Sequence, residues 1–174
     1  DVARAEIEFT SIPADFTDLL LVFSLRGAGA QQDFVLKVNG SSANITNRYL
    51  IGSGSSAFSG TSPANFLGVL NGANQTANSF ANGQLHIANY ASGNNKSWSI
   101  DSVGETNATA SYQNIIAGLW SQTAAITSLT IYENAANNIV QYSSATLYGI
   151  RKYNTASAPK ATGGIISYDA VNNK

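Results

Sequence analysis

The sequence has no cysteine, no methionine, a single histidine and only three prolines in 174 residues. Without cysteine, a disulfide scaffold, a zinc ribbon, an iron–sulfur centre and a thiol nucleophile are all excluded. His86 alone cannot supply a nitrogen-rich metal site, and no cofactor is expected. Charge is equally sparse. Nine Lys and Arg against ten Asp and Glu give a net charge of -1, and charged residues make up 11% of the chain, less than half the ~25% of ordinary soluble domains. So weak a field gathers neither phosphates nor anionic headgroups, so nucleic acid is not an expected partner and membrane insertion is not expected. The longest apolar run, Leu19-Leu20-Leu21-Val22-Phe23, has the length of a strand, far short of the ~20 residues of a membrane-spanning helix.

Uncharged polar residues are present in quantity: 19 Asn, 21 Ser and 13 Thr, close to a third of the chain. The length suits one domain with a core large enough to be stable unaided. Apolar residues arrive in short β-rich bursts between Gly, Asn and Ser clusters, the spacing of an all-β antiparallel sandwich of jelly-roll type with about ten strands. Ala5 to Thr10 alternates Ile7 and Phe9 with polar residues, so one face is buried. Asp18 to Leu25 is apolar on both pleat faces, which predicts an interior strand covered on both sides, or one at a subunit contact with Leu20 and Val22 as the candidate contacts. Asp33 to Val38 is closed by Asn39-Gly40, the strongest turn signal present, because both residues tolerate positive φ. Arg48 to Ile51, Asn65 to Leu70, Gly83 to Tyr90, Lys96 to Val103, Tyr112 to Trp120, Ile126 to Tyr132 and Ile139 to Ile150 complete the sandwich over residues 1–150. Residues 52–64, GSGSSAFSGTSPA, lack periodicity and read as an exposed loop. Beyond Ile150 the small residues and Pro of 151–162 read as a linker. A last strand follows at Ile165, Ile166, Ser167 and Tyr168, expected to pair with another subunit or a further domain.

Chemistry has few carriers. Alternation places His86 on the wet face of its strand, opposite Leu85 and Ile87, and no Gly-x-Ser-x-Gly elbow precedes a helix to give it a nucleophile. Asp101 and Glu105 are the best pair of carboxylates for glycoside hydrolysis, although their pattern favours a solvated strand end and turn. Asp15 and Asp18 could offer oxygens to Ca²⁺ or cap a turn. Trp98, Trp120 and Tyr90 are candidate saccharide contacts, as stacking platforms, or else members of the core.

Four segments taken together carry a resemblance: IEFTSIPADFTDLLLVFSLRG (7–27), FVLKVNGSSANITNRYLIG (34–52), LGVLNGANQTANSF with NYASGNNKSWSI (67–100), and AGLWSQTAAITSLTIYENAANNIVQYSSATLYGI (117–150). They resemble a family of virion structural modules of tailed bacteriophages, of the marine and cyanobacterial type. The resemblance implies a non-enzymatic component of the virion surface, a tail fibre or spike or a capsid decoration protein. Such a component assembles as a homo-oligomer, with a trimer the first expectation, alongside other virion proteins, and can present loops to a host surface glycan. No catalytic residues come with it. The stretch ATGGIISYD (161–169) resembles the opening of the glycine-rich tips of phage fibre proteins, which favours the fibre. The alternative is a carbohydrate-binding β-sandwich module.

Overall fold

The computed structural model describes residues 2–62, 65–107 and 111–151, and residues 165–168 as backbone. Among the described residues twelve strands form two antiparallel sheets: β1 (Glu6–Phe9), β2 (Asp18–Leu25), β3 (Gln32–Val38), β4 (Ile45–Gly52), β5 (Ala57–Ser62), β6 (Phe66–Leu70), β7 (Ala81–Ile87), β8 (Lys96–Gly104), β9 (Tyr112–Trp120), β10 (Leu129–Glu133), β11 (Ser144–Ile150) and β12 (Ile165–Tyr168). The smaller sheet has the order β1-β10-β3-β6 and the larger β12-β11-β2-β7-β8-β9-β4-β5. With the β7–β8 hairpin and the added β11 and β12 set aside, the two sheets have the strand order of a jelly roll. The chain wraps between sheets from β1 to β2, β2 to β3 and β3 to β4, then returns through β9 and β10.

The core lies between the sheets and follows the period-2 pattern. Leu19, Leu21, Phe23 and Leu25 of β2 face Phe9, Phe34, Leu36, Val38, Leu129 and Ile131 of the smaller sheet within one buried cluster. Asn39 and Gly40 take φ of 50° and 74° and close the two-residue turn between Val38 and Ser41, as the sequence predicts.

Three sequence expectations are revised. Residues 52–64 are not one loop: β5 pairs with β4 from Asn47↔Ser62 to Gly52↔Ala57, around a turn that Gly54 makes with φ +82°. As the outermost strand it is wet on both faces and so has no apolar alternation to betray it. The stretch 139–150 is not one strand. Ile139 bridges to Arg4 and Gly27, the chain turns at 140–143, and β11 begins at Ser144. Finally, the 165–168 backbone lies antiparallel on the chain's own β11, from Leu147↔Tyr168 to Ile150↔Ile165. The predicted linker, beyond Arg151, lies outside the described residues.

One polar device joins the sheets. Asn114 of β9 accepts from the Val69 N–H at 3.2 Å and donates to the Ser102 carbonyl at 3.3 Å. Ser102 in turn donates to the Leu67 carbonyl at 3.0 Å. Between these contacts Gly68 holds φ +136°, and a Cβ there would lie 2.4 Å from Ser102 Oγ. Buried side chains of the larger sheet thus satisfy backbone groups of β6, the edge strand of the smaller one.

Candidate functional site

The three aromatic platforms of the sequence reading are core residues. Trp98 and Trp120 are each 5% exposed and Tyr90 is fully buried, its hydroxyl donating to the Pro13 carbonyl. Trp98 packs over Gly118, where a Cβ would lie 1.8 Å from its indole nitrogen. Trp120 lies under the Lys96 ammonium, 5.5 Å from the ring centre. Rings enclosed in this way offer no face for a sugar to stack on.

The carboxylates disperse. Asp18 is buried, accepting from the Asn89 N–H at 3.0 Å and lying 3.1 Å from His86 Nε2. Its oxygens thus hold the β7–β8 connection to β2, while Asp15 is exposed. Asp101 sits on the outer face of β8. Glu105 lies past the strand end and caps its own turn through the Asn107 N–H at 2.5 Å. Among the described residues no group of three or more His, Asp or Glu side chains comes together to hold a metal ion.

Two surface features do converge. The first is the outer face of the larger sheet. The register aligns Val22, Gln84, Asp101, Ile115 and Leu50 in one row across β2, β7, β8, β9 and β4, and Leu20, His86, Ser99, Ala117 and Arg48 in the next. Val22, Leu50, Ile115 and Leu119 are 41%, 49%, 54% and 38% exposed, so four of the molecule's exposed large apolar side chains share this face. Leu20 is half-buried beside Val22. Ile165, Ile166 and Tyr168, the other expected subunit contacts, are described only as backbone. Two opposite charges flank β9 on this face, Asp101 on β8, the middle strand of the five, and Arg48 on β4, with Ile115 and Ala117 of β9 between them.

Against this background the chain matches no known family model, curated protein or solved structure.

The second feature is a groove of about 370 Å³ on the side of the sandwich where β1 and the start of β11 face each other. It is lined by Arg4, Glu6, Glu8, Gln141, Tyr142 and Thr146, among others. The backbone builds it: Arg4 and Ile139 exchange two hydrogen bonds, at 2.9 and 2.6 Å, which brings the N-terminal strand alongside the 139–146 segment. Glu6 pairs with Lys37 at 3.3 Å. Tyr142 is 73% exposed and stands at φ 69°.

Sequence reasoning missed both features in part. The pattern Asn114-Ile115-Ile116-Ala117-Gly118-Leu119 is apolar on both pleat faces, the same signal that singled out Leu20 and Val22. Nothing local marks Tyr142 except the polar break Gln141-Tyr142-Ser143-Ser144 inside an apolar stretch.

Proposed function

We propose that this protein is a non-enzymatic structural component of a virion surface, a fibre, spike or capsid decoration protein of a tailed bacteriophage, which works by assembling with copies of itself. The observation that carries this reading is the outer face of the larger sheet, where Val22, Leu50, Ile115 and Leu119 remain exposed on a sheet already covered on its other side. Five strands at about 4.8 Å spacing and about 3.3 Å rise present roughly 600 Å² in projection. That is close to the ~800 Å² per partner that a specific interface buries. Arg48 and Asp101 flank Ile115 and Ala117, so the face offers one charge of each sign beside its apolar residues for a neighbouring copy to match. The sparse net charge of -1 opposes no such contact. A homotrimer remains the first expected size, and the resemblance of residues 7–150 to phage virion modules supplies the setting.

The particle itself provides the test. A map of intact virions carrying this chain is expected to hold the sandwich at the head surface or in a fibre, seated on its neighbours through β9 and β4. Virions without the chain, or with the β9–β4 face turned to solvent, would contradict the reading.

A further inference from the structure

We propose that the groove between β1 and the 139–146 segment is a saccharide-binding site, with Tyr142 as its stacking platform and a neutral hexopyranoside oligosaccharide as its ligand. Three observations converge on it. Its volume of about 370 Å³ falls within the ~300–1,000 Å³ range of small-molecule sites.

Tyr142 is the most exposed aromatic side chain of the described structure, and its backbone adopts a left-handed conformation that a bulky residue rarely takes. The short turn that fixes it, closed by the Ser143 N–H on the Val140 carbonyl at 3.2 Å, needs no ring at this position. Glycine would serve that turn better, so the fold keeps an aromatic where its own stability favours none.

The remaining lining mixes aliphatic groups, Val2, Ile7, Ile139, Val140 and Ala145, with polar side chains that fit hydroxyls. Arg4 offers donors only, Glu6 and Glu8 acceptors only, and Gln141 and Thr146 both. A sugar hydroxyl donates and accepts at once and so is suited by such a mixture, while the flat ring takes the apolar face of a pyranose. Charge selects neutrality. Glu6 is engaged by Lys37, which leaves Arg4 against Glu8 and no excess of either sign to hold an ion. The site lies away from Ile115 and Leu50, and it adjoins the β2 end of the assembly face, where its Thr146 pairs with Val22.

The test uses the full chain, ¹⁵N-labelled, titrated with a panel of gluco-, galacto-, manno- and N-acetylhexosamine oligosaccharides. At least one is expected to shift amides within 4–8 and 139–146. Tyr142→Gly is expected to weaken that binding at least tenfold while raising the melting temperature by about 2–4 °C as the strained backbone relaxes. Tyr142→Phe is expected to keep the affinity within a few-fold. The opposed effect of Tyr142→Gly on stability and binding separates a ligand platform from a residue that merely supports the fold. Silence of these amides toward the whole panel would overturn the proposal. So would affinity that survives Tyr142→Gly, a result that would point to a contact made along the open edge of β1.

Discussion

Asparagine, the residue the composition overuses, is where the backbone most needs it. Of the eight non-glycine residues with positive φ among the described residues, five are asparagines: Asn39, Asn44, Asn78, Asn89 and Asn107. Their short amides tolerate the left-handed region and bond nearby backbone. Asn39 shows how far this goes, its Oδ1 accepting from Thr127 and Ser128 N–H while its Nδ2 donates to the Ala125 carbonyl. Two buried ionisable groups make single-residue predictions. Lys96 is fully buried, its ammonium held by the carbonyls of Ser92, Thr123 and Ala124 at 2.7, 3.0 and 2.5 Å. Lys96→Met leaves those acceptors unmatched and is expected to cost about 2–3 kcal/mol in urea unfolding. Glu133 is buried where a Cβ on Gly27 would lie 2.8 Å from its Oε1, and burial pushes its carboxyl above the ordinary value, with Asn137 offsetting part of the shift. Between the ordinary and the raised value the folded state keeps a proton that the unfolded chain releases, so stability falls as pH rises through that window. Glu133→Gln removes this dependence, a slope of at most about 1.4 kcal/mol per pH unit. Because burial also raises Asp33, the variant retains a shallower fall in the same direction, read from melting temperatures across the acidic range.

At the scale of the element, the edge strand β6 depends on its neighbours across the core. Asn114→Ala removes the acceptor for the Val69 N–H and the donor to Ser102. It is expected to cost about 2 kcal/mol, with amide exchange accelerating first at 66–70. Equal acceleration throughout both sheets would count against a local anchoring role. The same strand explains what the sequence made legible. Strands with one buried face announce themselves by alternation, as in β8, whose boundaries match the reading within a residue. β5 has no buried face and β11 is preceded by an apolar bridge at Ile139, so in both the pattern fails for a physical reason. The site follows the same logic. Alternation shows that Trp98 and Ile100 share a face but not whether that face is the core, and only sheet pairing places Trp98 inside and Ile115 outside.

The molecule as a whole is a two-layer sandwich whose smaller sheet covers one side of a larger one. An eight-stranded sheet covered on one side has a second side to occupy, and here that side mixes apolar residues with two opposed charges. Leu50 and Ile115 are partners in register, so charging both places two cations at the centre of the proposed contact without touching the core. Sedimentation equilibrium of the full chain against Leu50→Lys with Ile115→Lys tests this most directly. The account predicts an assembly, a trimer of 18.2 kDa chains first, that the double variant converts to folded monomers with an unchanged far-ultraviolet spectrum. A wild-type chain that stays monomeric at every concentration, or an assembly untouched by the two lysines, would contradict it.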